Sequence, residues 1–165
     1  MASEPVDFAE FYASAKDDCL RAVLASTGDV QAAEDLVAEA FARAWAAWRS
    51  VSRHPAPRAW VVRTALNTRV SWWRRRHREV ALGQADGLAD APGRGDPADS
   101  QLMAAVVRLP LRQRQVVGLR LFLDLDTART AEVLGIAPGT VTAHLTRAIA
   151  ALREEFTSAR GQEKS

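Results

Sequence analysis

Residues 124–153 read DLDTARTAEVLGIAPGTVTAHLTRAIAALR and have the apolar spacing of a helix-turn-helix. Ala131 falls on a first short helix, and Gly135 stands where a left-handed turn is required. Val141 and Leu145 then recur at helical spacing on a second helix, which is held at the angle that enters a DNA major groove. An ordinary helical hairpin would give a similar pattern, so the motif alone leaves both interpretations open.

The second helix of this motif carries the candidate contacts to duplex DNA at its exposed leading end. These residues are Pro138, Gly139, Thr140, Thr142, Ala143, His144 and Arg147. His144 either touches DNA or lies in solvent. The helix is predicted to run from Pro138 to about Phe156, and residues 158–165 are expected to form a disordered tail.

A linker separates this motif from the N-terminal half of the chain. Residues 81–98 lose helical periodicity and gather Gly, Pro and Asp, whereas residues 99–157 resume it and form a second domain. Fully extended, the linker spans at most about 65 Å, a little under two turns of B-DNA at roughly 34 Å each. Two DNA-binding domains can therefore address separate sites.

The first domain, residues 1–80, is predicted to contain three helices. The first ends at Gly28, the second follows an N-cap at Asp29 and reaches about Ser50, and the third starts near Pro57. The apolar stripe of the second helix includes Trp45. No window of the chain shows the alternation typical of a strand, so we expect an all-α protein of two small helical domains joined by a flexible linker.

Residues 43–78 form a basic, tryptophan-rich stretch. They hold ten arginines and all five tryptophans without an acidic residue, although the net charge of the chain is only +2. Guanidinium groups neutralise phosphates, and indole rings offer platforms to unpaired bases. The stretch therefore indicates a nucleic-acid surface. The alternative is a solvated basic helix face whose tryptophans lie in the core.

Several classes of function are not expected. One cysteine, Cys19, and three histidines give no metal-ligand spacing, and Cys19 is predicted to be a small core residue. No apolar run approaches a membrane span, and we expect a cytosolic protein without membrane insertion. Neither a phosphate-binding glycine loop nor a nucleophile with its base is present, so we expect no enzyme and no cofactor. Asp124 and Asp126 are interpreted as cap and turn residues.

Four segments, in this order, resemble the extracytoplasmic function sigma factors of the sigma-70 family, and are similar to the actinobacterial SigE-like group. They are AAEDLVAEAFARAWAAW at 32–48, RAWVVRTALNTRVSWWRRRHR at 58–78, LPLRQRQVVGLRL at 109–121 and AEVLGIAPGTVTAHLTRAIAALR at 131–153. The resemblance covers roughly residues 7–156. It implies a subunit that binds core RNA polymerase, directs it to specific promoters and assists promoter melting.

The resemblance also implies roles for individual residues. The segment that binds the polymerase clamp coiled coil corresponds to Glu34, Asp35, Leu36, Val37 and Glu39. The part that opens the −10 region and captures the non-template single strand corresponds to Arg58, Trp60, Arg63, Asn67, Trp72, Trp73, Arg74, Arg75 and Arg76. The helix from Pro138 would read the duplex −35 element, and the polymerase flap and an anti-sigma factor are further partners that the family suggests.

The recognition helix departs from the family pattern. The usual recognition segment of the family reads much like S-V-G-T-V-K-S-R. Residues 137–144 of this chain read APGTVTAH instead, so they lack a capping serine and two residues that frequently contact DNA. Arg129 and Thr130 replace a usual acid and apolar residue, which predicts weaker packing there. We therefore expect altered or relaxed recognition of the −35 element.

Two alternatives remain at this stage. A stand-alone helix-turn-helix regulator would bind duplex DNA without polymerase, but it has no need of the basic, tryptophan-rich stretch or of the acids before it. The second alternative concerns those acids, Glu34, Asp35 and Glu39. Their role could be purely structural, because carboxylates near the start of a helix complement its dipole.

Overall fold

The computed structural model describes residues 7–79 and 96–164, with side chains described for residues 7–69 and 96–164. All regular structure in these residues is helical, which confirms the all-α class. The N-terminal half forms α1 (Phe8–Thr27), α2 (Val30–Ala46), α3 (Trp48–Val51) and α4 (Pro57–Glu79). The C-terminal half forms α5 (Pro97–Val106), α6 (Leu111–Val117), a π-helical turn (Gly118–Phe122), α7 (Thr127–Leu134) and α8 (Pro138–Gln162).

The turn between α1 and α2 follows the local chemistry of its residues. Gly28 adopts a φ of 69°, in the left-handed region that favours glycine, and its N–H donates to the carbonyl of Leu24 at 2.8 Å. The side chain of Asp29 accepts a hydrogen bond from the N–H of Ala32 at 3.1 Å, which satisfies one of the free donors of the new helix. Both signals were readable in the sequence.

Helix α2 is shorter than predicted. It ends at Ala46 rather than near Ser50, because Ala47 leaves the helical region with φ −108° and ψ 23°. The chain then makes a separate single turn, α3, before the loop that leads to α4. In that loop the Nδ1 atom of His54 accepts a hydrogen bond from the N–H of Ala56 at 2.9 Å.

Helix α8 is longer than predicted, and the expected disordered tail is wrong for residues 158–162, which are helical. Leu152 is buried and Phe156 packs against the core, so the C-terminal turns continue from an anchored helix. An ion pair between Arg108 and Glu155 joins this part of α8 to the end of α5. The helix continues past the predicted boundary because tertiary contacts support it.

The second domain also begins slightly earlier than predicted. The side chain of Asp96 accepts from the N–H of Ala98 at 2.9 Å, and α5 starts at Pro97, within the segment interpreted as linker. The rest of that linker, up to residue 95, lies outside the described residues.

The two halves share one hydrophobic core. Its fully buried members come from the first half, as with Leu36 and Val61, and from the second half, as with Val106 and Leu119. Helix α1 packs against α6 and the π-helical turn, and α4 packs against α7. The two domains therefore lie in direct contact here, whereas the linker alone suggested domains that sit apart.

Cys19 lies in this shared core with no solvent exposure, which confirms the prediction of a core residue. Burial raises the pKa of the Cys19 thiol to about 12, because the low-polarity surroundings disfavour the thiolate. The thiol is therefore protonated at neutral pH and behaves as a small apolar group.

Candidate nucleic-acid and polymerase interfaces

The helix-turn-helix predicted from the sequence is present. Asp126 caps α7 by accepting from the N–H of Arg129 at 2.7 Å, and Asp124 takes a positive φ of 55° in the preceding turn, as expected for a turn residue. Gly135 ends α7 with a φ of 66°, and the N–H of Ile136 donates to the carbonyl of Ala131 at 3.1 Å. This turn leads directly into α8.

A small core of its own holds the helix-turn-helix together. Val116 of α6, Ala131 of α7 and Val141 of α8 are buried against one another. Leu134 and Leu145 pack at its edge. Three helices thus fix the angle of α8, which is the requirement for presenting a recognition helix to a groove.

The leading end of α8 presents most of the predicted contacts to solvent. Its exposed members are Pro138, Gly139, Thr140, Thr142 and Arg147. Ala143 and His144 are half-buried, and the Nδ1 atom of His144 is buried with no hydrogen-bond partner in the part of the chain that the structure describes. Only the outer part of the His144 ring is therefore available to a ligand.

The cap of α8 is weak, as the sequence suggested. Ala137 occupies the N-cap position and supplies no side-chain hydrogen bond, while the hydroxyl of Thr142 donates to the carbonyl of Pro138 at 3.3 Å. Arg147 is the only predicted contact on this helix with a permanent positive charge.

Thr130 of α7 places a polar group in the core at the position where weaker packing is expected. Its side chain is fully buried, and its hydroxyl has no hydrogen-bond partner among the described residues. A buried, unpaired hydroxyl costs on the order of 1–3 kcal/mol. The neighbouring Arg129 is half-buried and pairs with Glu132 at 2.9 Å instead of contacting the core.

The outer side of α4 carries a short stripe of predicted single-strand contacts. Trp60, Arg63 and Asn67 recur at intervals of three and four residues, so they lie above one another on one face of the helix. Arg63 and Asn67 are exposed and Trp60 is half-buried against the core. An indole, a guanidinium and an amide thus share a surface that could stack, neutralise and hydrogen-bond a nucleotide.

Arg58, at the start of the same helix, is engaged within the protein. Its guanidinium pairs with the carboxylate of Asp18 at 2.7 Å and donates to the carbonyl of Ser14 at 2.9 Å. Both contacts lie on α1, so Arg58 fastens the first turn of α4 to that helix. Its predicted contact with DNA would have to compete with these two bonds.

The remaining predicted contacts on α4 are placed only in part. The backbone of α4 continues to Glu79, but the side chains of Trp72, Trp73, Arg74, Arg75 and Arg76 lie outside the described residues.

Trp45 and Trp48 behave differently from each other. Trp48 is half-buried, with its ring 5.3 Å from that of Phe8 and 5.1 Å from that of Phe11. Trp45 is 65% exposed and touches Phe8 edge-on at 5.0 Å, so its place in the inward stripe of α2 was predicted wrongly. The helix ends at the next residue, which leaves Trp45 at the rim of the core.

The predicted polymerase-binding segment divides into two faces of α2. Glu34 and Asp35 are exposed, and Glu39 is half-buried. Leu36 and Val37 are buried on the opposite side, as the apolar period of the helix predicts, and they face α1 and α4. Their part in polymerase binding stays a prediction.

Two acids of this face contact residues of their own helix. Asp35 accepts from Gln31 at 3.0 Å, and Glu39 pairs with Arg43 at 3.1 Å. Exposed contacts of this type are weak and are readily exchanged for a partner's groups.

Arg69 is a residue whose role the sequence did not reveal. Its guanidinium donates to the carbonyl of Ser26 at 3.2 Å and to the hydroxyl of Ser26 at 3.1 Å. Burial, with the neighbouring charge of Arg114, lowers the pKa of Arg69. Within the basic stretch Arg69 does not differ from the other arginines, and only the packing of α4 against α1 reveals its partner.

No group of three His, Cys, Asp or Glu side chains that could hold a metal ion occurs among the described residues. Likewise, no described helix is both long and apolar enough to cross a membrane.

The fold and these surfaces define a helical protein with a helix-turn-helix in its second half and an arginine- and tryptophan-containing helix surface in its first half. Comparison with known families assigns both halves: residues 11–79 match "Sigma-70 region 2" and residues 99–152 match "Sigma-70, region 4". The chain belongs to the sigma-70 family and is an RNA polymerase sigma factor of the extracytoplasmic function type.

Individual relatives agree with this assignment. The chain is 34% identical over 157 residues to the RNA polymerase sigma-E factor of Streptomyces coelicolor, covering 94% of this chain and 89% of that protein. It is 33% identical over 141 residues to the sigma factor SigL of Mycobacterium tuberculosis, covering 81% and 79%.

A solved structure shares the fold. It is the sigma factor RpoE in complex with the anti-sigma factor NepR from Bartonella quintana, with a TM-score of 0.78 and 24% identity. The match covers 92% of this chain and 97% of that one. At this identity the likeness concerns the fold alone.

Proposed function

We propose that this sigma factor uses three surfaces, one for each step of initiation. The acidic face of α2, with Glu34, Asp35 and Glu39, binds the clamp coiled coil of core polymerase. The leading end of α8 reads the duplex −35 element, and the flap is a further polymerase contact of the second domain. The outer side of α4 captures the melted −10 element as non-template single strand. The chain acts as a binding subunit and not as a catalyst.

The observation that carries this proposal is the stripe of Trp60, Arg63 and Asn67 on α4. A protein that only reads duplex DNA gains nothing from a half-buried indole, an exposed guanidinium and an exposed amide aligned on one face of a helix other than its recognition helix. Extruding a base from a duplex costs a few kcal/mol, and a receptor of this composition can offset that cost.

Reduced contact with the −35 element follows from the composition of α8. Of its predicted contacts only Arg147 is permanently charged, and Ala137 provides no side-chain cap. The promoter specificity of this protein therefore depends more on the −10 surface. An anti-sigma factor regulates the chain in the bacterial cytoplasm; the RpoE structure, which holds the anti-sigma factor NepR, supports this part of the proposal.

The test is binding to core polymerase followed by run-off transcription from genomic fragments. Asp35→Arg places a positive charge in the acidic face and is expected to weaken polymerase binding about tenfold or more, since mismatched charge at an interface costs at least about 1.4 kcal/mol. Glu154→Arg is the matched control, because Glu154 is an exposed acid on α8. Equal affinity of both variants, with intact circular dichroism, would remove the clamp assignment.

Failure of the wild-type chain to bind polymerase would overturn the whole proposal. It would leave the stand-alone regulator as the explanation of the helix-turn-helix.

A further inference from the structure

We propose that a crevice between α4, α6 and α7 binds a free nucleoside monophosphate. The crevice has a volume of about 420 Å³ and is lined by side chains of all three helices. Sites for small molecules in proteins have volumes of roughly 300–1,000 Å³, so the crevice is large enough for one such ligand.

The anion-binding end of the crevice contains two guanidinium groups, those of Arg69 and Arg112. The Nη1 atom of Arg69 donates to the hydroxyl of Ser26 at 3.1 Å, and the Nη1 atom of Arg112 donates to the side-chain oxygen of Gln115 at 3.1 Å. The other nitrogens of both groups have no hydrogen-bond partner among the residues that the structure describes. Each guanidinium is therefore oriented by a bond within the protein and keeps donors for the oxygens of a phosphate.

The positive charge of the crevice is not balanced by an acid. No Asp or Glu among the described residues lines it, and neither of its two arginines forms an ion pair within that part of the chain. Burial and the nearby charge of Arg114 lower the pKa of Arg69, which shows that positive charges repel one another here. A bound anion offsets this repulsion. A phosphate monoester does so best, because it carries a charge of about −1.5 to −2 at neutral pH, whereas a carboxylate carries only one.

The other walls of the crevice suit a nucleobase. Leu66, Leu111, Val133 and Leu134 supply apolar surface, and Leu111 is 44% exposed, so a ligand can still remove part of that surface from water. Asn67 lies beside them, and its exposed amide offers both a donor and an acceptor. A nucleobase has the matching combination of flat faces that stack on side chains and an edge that forms hydrogen bonds.

The size and charge of the crevice favour a free nucleotide over a nucleotide within a DNA strand. An internal nucleotide of a strand has a neighbour on each side, and about 420 Å³ leaves no room for three nucleotides. Its phosphodiester also carries a single negative charge, which leaves one of the two guanidinium groups without a counter-charge.

Asn67 connects this site to promoter binding, and this consequence alone rests on the proposed function. The same amide belongs to the stripe of α4 that is proposed to capture the −10 single strand. A nucleotide in the crevice therefore competes with the strand for one of its contacts, so that capture of the strand weakens as the nucleotide concentration rises.

Isothermal titration of the full chain with AMP, GMP, CMP and UMP tests the site. For the tightest of the four we expect a Kd on the order of 10 µM, from the affinity per atom that is usual for ligands of this size. The corresponding nucleoside and inorganic phosphate should each bind at least about tenfold more weakly, because each engages only part of the crevice.

Three results of these titrations would overturn the proposal. Inorganic phosphate that binds as tightly as the nucleotide would show a site for simple anions, and a nucleoside that binds as tightly would show a purely apolar site. The third is no binding of any of the four nucleotides up to about 1 mM, a hundred times the expected Kd.

Arg112→Glu locates the site within the chain. Arg112 is exposed, so the fold should be retained in circular dichroism, and the reversed charge should weaken nucleotide binding about tenfold or more. Arg112→Lys keeps the charge but not the planar fork and should lose less affinity. Arg160→Glu is the matched control, because Arg160 is an exposed arginine near the end of α8. Equal affinity of the two glutamate variants would refute binding in the crevice.

The holoenzyme distinguishes a free nucleotide from a DNA strand. A single-stranded promoter oligonucleotide should bind the wild-type holoenzyme more weakly when the nucleotide is present, and Arg112→Glu should remove this inhibition without changing the affinity for the oligonucleotide itself. An oligonucleotide affinity that falls with the nucleotide affinity in Arg112→Glu would show that the crevice serves the strand. No inhibition in the wild type would refute the competition at Asn67. If the chain binds no polymerase, the proposed function fails, while the titrations of the free chain still decide whether the nucleotide site exists.

Discussion

Replacement of Arg58 by alanine is expected to destabilise the fold more than it weakens DNA binding, whereas Arg63→Ala is expected to do the reverse. The Arg58→Ala variant loses an ion pair with Asp18, which is 2.7 Å long in the wild type, and a hydrogen bond of 2.9 Å to the carbonyl of Ser14. Arg63 is exposed on the same helix, five residues further along. Both variants remove an arginine side chain, but Arg58 has partners within the protein and Arg63 is exposed to solvent.

The size of the effect follows from these contacts. The side chains of Arg58 and Asp18 are 36% and 35% exposed, so solvent screening limits the pair to about 0.5–1 kcal/mol. The hydrogen bond to Ser14 adds about 1 kcal/mol. Together they amount to about 1.5–2 kcal/mol, which lowers Tm by about 3–8 °C in a chain of this size at roughly 2–4 °C per kcal/mol.

Thermal unfolding by circular dichroism measures the first effect, and holoenzyme binding to promoter DNA at several salt concentrations measures the second. Loss of one phosphate contact lowers the slope of log K against log salt by about 0.7 for a single strand. We expect this change in Arg63→Ala and not in Arg58→Ala. An unchanged Tm in Arg58→Ala, together with the reduced salt slope, would show that Arg58 is a DNA contact and refute the structural role.

Three further predictions concern single side chains. Thr130→Val removes a buried, unpaired hydroxyl at nearly constant volume and should raise the free energy of unfolding by about 1 kcal/mol, measured by urea titration; a lower value would mean that the hydroxyl is satisfied. Thr142→Lys adds a charge to the exposed leading end of α8 and should steepen the salt slope of duplex −35 binding by about 0.9, whereas an unchanged slope would remove α8 from the DNA interface. Cys19 has its pKa raised to about 12 in the folded state from 9.0, so its contribution to stability is complete below pH 9 and falls as the unfolded thiol ionises above it. Stability measured from pH 8 to pH 10.5 should therefore fall less in Cys19→Ala than in the wild type, and parallel curves would contradict the burial of the thiol.

Local physics made much of the fold predictable. The caps at Asp29 and Asp126 and the left-handed turns at Gly28 and Gly135 depend on residues a few positions away, so the sequence contains all the information they need. The helix-turn-helix was readable for the same reason, since its apolar positions recur at the helical period.

Side-chain roles were harder to predict where the partner is distant in sequence. Arg58 pairs with a residue 40 positions away and Arg69 with one 43 positions away, so neither differs locally from an arginine meant for phosphate. The segment matched to the polymerase-binding motif contains residues of both faces of α2, with Leu36 and Val37 buried and Glu34 and Asp35 exposed. Trp45 followed the apolar period of α2, but the helix ends before a neighbour can cover it.

The tail beyond residue 157 was misjudged for a related reason. Its composition is polar, and only the burial of Leu152 and the ion pair of Arg108 with Glu155 extend order into it. Such support comes from another helix and is not visible in the segment itself.

The π-helical turn at Gly118–Phe122 sets limits on insertion and deletion. The N–H of Leu123 donates to the carbonyl of Gly118 at 3.1 Å. This bond joins residues five apart instead of four, so the turn contains one residue more than a turn of α-helix. Removing one residue here would restore an ordinary helix and rotate everything after it by about 100° relative to α6. The apolar side of Leu119 and Phe122 would then turn away from α1, so a change of length at this turn should be far more damaging than a substitution nearby.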